Sequence, residues 1–79
     1  MKVRLMFFAA AADRAGIRTK DVEVPTNSRL GQLSKFVLDE YPPLEGLHLI
    51  YAVNRQYVSL NQLLRDGDEV AVFTPVSGG

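Results

Sequence analysis

The sequence predicts an α+β fold in which one main helix covers one face of a mixed sheet of four to five strands. Segments near both ends of the chain alternate apolar and polar residues, which is typical of strands with one buried face. A single amphipathic helical pattern lies between them. The 79 residues have room for one domain. We therefore predict one domain over residues 1–79, with a flexible tail from about residue 75 onward.

The first strand is predicted from three alternating apolar residues, Val3, Leu5 and Phe7. Four alanines then lead into a short helical turn that Gly16 stops. Val22 and Val24 alternate with acidic residues and predict a second strand, which Pro25 ends. The short separation of these two strands predicts an antiparallel hairpin with a long loop.

The main helix is predicted to begin at Asn27 or Ser28, because either side chain can accept a hydrogen bond from a first-turn amide. Its apolar face is formed by residues at helical spacing: Leu30, Leu33, Val37, Leu38 and Tyr41. Pro42 and Pro43 end it, since proline disfavours helical geometry in the residue before it.

The second half of the chain predicts three more extended segments. Residues 49–53 are apolar enough for a central strand, and a turn at 54–56 leads to a short return strand. Three leucines are predicted to pack a connecting turn: Leu60, Leu63 and Leu64. The sequence Asp66-Gly67-Asp68 predicts a solvated tight turn with a positive φ at Gly67, and the last strand runs from 69 to 74. This element order is compatible with a β-grasp.

Composition excludes several classes of function. Nine basic and nine acidic residues cancel, so we expect neither a nucleic-acid nor a membrane partner. The chain has no cysteine, which excludes disulfides and thiolate sites and favours a cytoplasmic location. An apolar run at residues 5–12 superficially resembles a secretory signal, but it coincides with the first predicted strand. His48 is the only histidine and has no partners at ligand spacing, so no metal site is predicted.

The C-terminus carries the main functional signal. Gly78 and Gly79 end the chain after a strand that Pro75 stops, which predicts a thin tail without side chains. A carboxylate presented on such a tail can be activated by a partner as an acyl-adenylate. The alternative is a loose terminus without function.

The run from Asp66 to Gly79 resembles the C-terminal signature of the molybdopterin synthase small subunit, the MoaD family. Three further segments match in order: residues 3–9, 30–33 and 52–54. Thr74 departs from the pattern, because the family usually has a second proline at this position. The departure leaves the two glycines intact.

The resemblance implies a ubiquitin-like β-grasp fold and a role as sulfur carrier. An E1-like adenylyltransferase would use ATP to activate the Gly79 carboxylate, which then becomes a thiocarboxylate. The tail residues Pro75, Val76, Ser77 and Gly78 would thread into the large synthase subunit, where sulfur passes to the pterin precursor. The chain itself would bind no cofactor or metal and would have no active site of its own.

Three aromatic residues suggest a docking surface independently of the resemblance. Phe8 and Phe73 are on strand faces opposite the predicted core, and Tyr57 begins the exposed return strand. The alternative is a secondary cluster under the loop at residues 10–16. Three other functions stay open: a sulfur carrier for thiamine or tRNA thiolation, a ubiquitin-like protein modifier, and an interaction module with an inert tail.

Overall fold

A computed structural model describes residues 1–75 of the chain. The strands and helices follow in the order β1 (Lys2–Phe7), α1 (Ala9–Ala15), β2 (Thr19–Glu23), α2 (Leu30–Glu40), a 3₁₀ helix (Pro42–Leu44), β3 (Ile50–Val53), β4 (Gln56–Tyr57) and β5 (Glu69–Phe73). The predicted order of elements is confirmed, and the short helical turn of alanines is a helix of seven residues that Gly16 ends at φ 75°.

The strands form one mixed sheet of five, in the order β2-β1-β5-β3-β4. β1 and β2 form the predicted antiparallel hairpin, with Lys2 opposite Glu23 and Met6 opposite Thr19. β5 lies in the middle of the sheet, parallel to β1 and antiparallel to β3. β5 therefore lies inside the sheet, between β1 and β3, and not at an edge.

The core lies between the sheet and the helices. The inward-facing residues of β1 and β5 are buried, as alternation predicts, and α2 covers them with its apolar face, so that the core contains Val3, Leu5, Phe7, Val70, Val72, Leu30, Leu33 and Val37. Each such side chain contributes about 1.5–3 kcal/mol when fully buried. Tyr41 packs its ring edge-on against Phe7 at a centroid distance of 5.2 Å. No helix within residues 1–75 covers the opposite face of the sheet.

The start of α2 differs from the prediction. The N-cap is Arg29, not Asn27 or Ser28. The hydroxyl of Ser28 instead donates to the carbonyl of Pro25 at 2.6 Å. The amides of Leu30 and Gly31 donate to the carbonyls of Gln62 and Leu60 at 2.9 and 2.7 Å. A distant loop satisfies these first-turn amides, and the side chain of Gln32 accepts from the backbone amide of Arg29 at 2.7 Å, so the helix begins without a cap from Asn27 or Ser28.

The same contact between α2 and the loop explains why a second prediction is wrong. Leu60 and Leu63 were predicted to be packed, yet they are 57% and 43% exposed, and only Leu64 is buried. Backbone hydrogen bonds hold this loop against α2 and turn the two leucine side chains outward. Gly31 permits the approach, since a Cβ on it would lie 3.3 Å from the carbonyl oxygen of Leu60. The close approach at Gly31 is therefore to a loop and not to the sheet.

The turn before β5 is only partly the solvated turn that was predicted. Gly67 has the expected positive φ, at 87°. Asp68, however, is only 9% exposed. Its carboxylate accepts hydrogen bonds from the backbone amide of Arg65 at 2.8 Å and from the side-chain amide of Asn54 at 2.9 Å. The turn is thereby tied to the β3–β4 hairpin.

Candidate functional site

The predicted C-terminal tail follows the end of β5 in the chain. β5 stops at Phe73, and the next two residues, Thr74 and Pro75, are outside any strand, with Pro75 exposed. The predicted tail residues Val76, Ser77, Gly78 and Gly79 lie outside the described residues. The surface around the end of β5 is therefore the part of the candidate site that the structure describes.

The sheet face opposite α2 is open, and the part of it nearest the end of β5 is apolar. Alternation along the strands puts the side chains of Met6, Ala71 and Phe73 on this face, because their neighbours point into the core. Ile50 is paired with Phe73 across the β3–β5 ladder and joins the same face. The strand alternation that points one set of side chains into the core thus places a second apolar set on the outer face.

The three predicted aromatic residues lie on this open face. The β1–β5 pairing continues past Phe7 and Val72, and the amide of Phe8 donates to the carbonyl of Val72 at 3.0 Å. This register places Phe8 beside Phe73. The rings of Tyr57 and Phe73 lie 6.1 Å apart at 56°. Phe8 is 48% exposed and Tyr57 is 76% exposed. We call Phe8, Tyr57 and Phe73 the aromatic patch.

The other end of the open face is charged. The guanidinium of Arg4 donates to the carboxylate of Asp21 at 2.9 Å. The hydrogen bond from Arg4 lowers the pKa of Asp21, and the same bond raises the pKa of Arg4. Both groups are exposed, so solvent screens this pair strongly. The face thus has an apolar half beside the end of β5 and an ionic half away from it.

The apolar half of the open face suits binding rather than bond-breaking chemistry. Its side chains carry no carboxylate, imidazole or amine. Within residues 1–75, no three histidine, cysteine, aspartate or glutamate side chains are placed to hold a metal ion. No helix in that part of the chain is long and apolar enough to cross a bilayer. Reactive chemistry at this site would depend on the chain terminus and on groups that a partner supplies.

The sequence had not singled out Ile50 and Met6 as parts of this face. Ile50 lies in a continuous apolar run (residues 49–53), which indicates a central strand but not which face each side chain takes, and Met6 alternates with the buried residues of β1. Strand alternation places Met6 on the outer face, but the position of Ile50 depends on its pairing with Phe73. That pairing joins residues far apart in the chain, so no local pattern reveals it.

Comparison with protein-family models places residues 5–79 in the ThiS family. Among curated proteins, the human molybdopterin synthase sulfur carrier subunit is 35% identical, over 99% of this chain and 94% of that protein. The subunit of the same name from Escherichia coli K12 is 38% identical, over 98% of this chain and 99% of its own length. The resemblance found in the C-terminal run is confirmed along essentially the whole chain.

Solved structures agree. A putative molybdopterin converting factor subunit 1 from Pyrococcus furiosus superposes with a TM-score of 0.90 at 29% identity, covering 96% of this chain and 99% of that one. Small archaeal modifier protein 1 of Haloferax volcanii gives 0.85 at 27% identity, covering 95% and 98%. A complex of subunits 1 and 2 of the molybdopterin-converting factor from Helicobacter pylori gives 0.72 at 26% identity, with full coverage of both chains. The predicted ubiquitin-like β-grasp fold is confirmed.

Proposed function

The chain belongs to the ThiS family, and we propose that it is the sulfur-carrier subunit of a molybdopterin synthase. In this proposal residues 75–79 are the tail of a single β-grasp domain, and the carboxylate of Gly79 carries the sulfur. The observation that supports it best is end-to-end similarity to proteins that bear this name in organisms as distant as human and Escherichia coli.

The proposed chemistry uses the chain terminus as an acyl group. An oxygen of the Gly79 carboxylate attacks the α-phosphorus of ATP on an E1-like adenylyltransferase, and pyrophosphate leaves. Sulfur at the oxidation level of sulfide then attacks the acyl carbon, and AMP leaves with the electron pair of the broken C–O bond. The product is a thiocarboxylate, and no oxidant is needed. When sulfur is passed on, water supplies the oxygen that restores the carboxylate.

The large synthase subunit is the proposed acceptor of the tail. Support comes from the Helicobacter pylori complex, in which a structurally similar subunit 1 is joined to subunit 2. The aromatic patch is the proposed docking surface on this chain, because exposed aromatic side chains are the residue type that dominates binding energy at interfaces. With the patch docked beside the end of β5, Pro75, Val76, Ser77 and Gly78 would lead Gly79 into the partner.

The decisive experiment is an intact-mass measurement. The chain is incubated with an E1-like adenylyltransferase, ATP and sulfide, and then treated with a thiol alkylator. Since the chain has no cysteine, unmodified protein offers no thiol to the reagent. We expect an ATP-dependent adduct that maps to Gly79 and is absent from a variant lacking Gly79. Absence of the adduct, with an enzyme shown to activate a known carrier, would overturn the proposal.

A second candidate function is ubiquitin-like protein modification. It is favoured by one observation, the similarity to small archaeal modifier protein 1 at a TM-score of 0.85. The two functions share the adenylate but differ in the nucleophile that follows, sulfide in one case and a lysine amine in the other. Amide-linked adducts of Gly79 in cell extracts, found by mass spectrometry after proteolysis, would support modification.

We also propose a cytoplasmic location. The support is compositional, since small domains in oxidising compartments are commonly stabilised by disulfides and this chain has no cysteine. Fractionation of cells that produce the tagged chain is the direct test, and enrichment outside the cytoplasm would contradict the proposal.

A further inference from the structure

β2 forms one edge of the sheet, and within residues 1–75 no strand lies beyond it. Its pairing with β1 shows which backbone groups face outward. Met1 and Val24 exchange both backbone hydrogen bonds, at 2.8 Å each, and the amide of Phe7 donates to the carbonyl of Arg18 at 2.7 Å. Pairs of this kind recur at every second residue of an antiparallel ladder, so the backbone groups of the even-numbered residues of β2 face β1.

The amides and carbonyls of Thr19, Asp21 and Glu23 therefore point away from β1, and we call these three residues the β2 edge. No hydrogen bond from elsewhere in residues 1–75 reaches these backbone groups. All three residues are exposed. A strand edge of this kind is a template on which another chain can form a strand.

The side chains beside the β2 edge alternate in charge from strand to strand on the open face. Arg4 of β1 lies opposite Glu69 of β5 on one side and opposite Asp21 on the other. Lys2 lies opposite Glu23 in the same way. Directly opposed side chains of opposite charge stabilise a pair of strands, and like charges destabilise it. The outermost row is acidic, so a strand added beyond it continues the alternation when it carries basic residues.

A second copy of this chain does not meet that requirement. Two β2 strands that pair through their outward-facing groups about a two-fold axis bring like charges together in each central register. Asp21 then lies opposite Asp21, Lys20 lies opposite Lys20, or Asp21 lies opposite Glu23. Charged side chains on an edge strand disfavour such self-pairing. The charges thus favour a strand of a different protein.

We propose that the β2 edge binds an extended segment of a partner protein, with lysine or arginine at alternate positions, as an added antiparallel strand. Antiparallel pairing is the more stable arrangement per residue. Backbone hydrogen bonds to the β2 edge hold the segment, and its basic side chains lie opposite Asp21 and Glu23. Because both carboxylates are exposed, their charges add little affinity and serve mainly to select the segment. The inference is independent of the tail, so a chain that lacks Gly79 must bind the segment equally well.

The test uses the full, isotope-labelled chain and the peptide acetyl-Thr-Lys-Val-Lys-Thr-amide, followed by two-dimensional NMR at low salt. We expect saturable shifts at millimolar peptide, centred on the amides of the β2 edge. Exchange of these amides with water should slow at least about threefold, while exchange of Lys20 and Val22, whose amides face β1, stays unchanged. No shifts, or shifts centred on the aromatic patch, would overturn the proposal.

Two modified peptides separate strand addition from attraction between charges. The isomer acetyl-Thr-Lys-Lys-Val-Thr-amide points its lysines to opposite faces and should bind at least about threefold more weakly. N-methylation of both lysine nitrogens removes the donors that face β2 and should weaken binding at least about fivefold. N-methylation of the valine and the last threonine alters nitrogens that face outward and should leave binding unchanged. Equal binding of the isomer, or equal effects of the two methylations, would contradict strand addition.

A charge reversal tests the selection by Glu23. Glu23→Lys should weaken binding of the lysine peptide at least about threefold. Glu45→Lys is the matched control, because it makes the same change at an exposed position beside the groove between α2 and β3, on the other side of the domain from β2. The inference is wrong if Glu23→Lys binds the peptide as the unchanged chain does, or if Glu45→Lys weakens binding equally.

Discussion

At the scale of single residues, the hydroxyl of Tyr51 is the clearest source of local destabilisation. Its oxygen is buried and has no hydrogen-bond partner within residues 1–75. An unsatisfied buried polar group costs about 1–3 kcal/mol. We predict that Tyr51→Phe raises the free energy of unfolding by about 1 kcal/mol, measured by urea denaturation. Tyr57→Phe is the control, because Tyr57 is 76% exposed and the change should have no effect. A loss of stability in Tyr51→Phe would contradict the prediction.

The same residue predicts a dependence on pH. Burial raises the pKa of Tyr51 to about 12, against 10.0 for an ordinary tyrosine. Between these values the unfolded chain has lost the proton that the folded chain keeps. The contribution of Tyr51 to stability is therefore constant below pH 10 and falls as the pH rises towards 12. Urea curves should show the advantage of Tyr51→Phe growing over this range, and an advantage independent of pH would refute the assignment.

At the scale of elements, Asp68 connects the turn before β5 with the β3–β4 hairpin. Asn54 both donates to the Asp68 carboxylate and accepts from the amide of Glu69 at 3.0 Å. We predict that Asp68→Ala lowers the free energy of unfolding by about 2 kcal/mol, because hydrogen bonds to a buried charged group are lost. Asp39→Ala, at an exposed position of α2, should change it by less than about 0.5 kcal/mol. Equal stability of both variants would show that the connection is unimportant.

The elements also show what local patterns can predict. The sequence patterns predicted β1, β5 and α2 correctly. Their core side chains recur with a period of two in the strands and at helical spacing in α2, so the pattern is visible in the sequence. The N-cap at Arg29 and the exposure of Leu60 and Leu63 were not predictable. Both follow from backbone hydrogen bonds between α2 and a loop about thirty residues later in the chain. A sequence pattern contains no information on such a pairing until the fold is known.

At the scale of the whole molecule, the predicted aromatic residues lie on one face because of the strand order. The order places β5 between β1 and β3, which brings Phe8 and Tyr57 to opposite sides of Phe73. Alternation alone predicted that Phe8 and Phe73 point away from the core. That Ile50 completes the surface depends on the register of β3 against β5.

The whole-molecule prediction concerns docking of the large synthase subunit. Tyr57→Ala should raise the Kd of that complex at least about tenfold, because an exposed aromatic at the centre of an interface carries a large share of the binding energy. The unfolding free energy should change by less than about 0.5 kcal/mol, since Tyr57 is 76% exposed. Isothermal titration calorimetry with the purified large subunit measures the first quantity and urea denaturation the second.

Phe36→Ala is the matched control for this prediction. Phe36 is 37% exposed on α2, on the side of the domain away from the open face, so its loss should leave the Kd unchanged. If Tyr57→Ala and Phe36→Ala raise the Kd equally, the large subunit does not distinguish the two sides of the domain. No weakening by Tyr57→Ala would remove the aromatic patch from the docking surface. In that case the tail would be the main part of the chain that binds the large subunit. Deletion of Gly78 and Gly79 should then abolish the complex, although Tyr57→Ala does not.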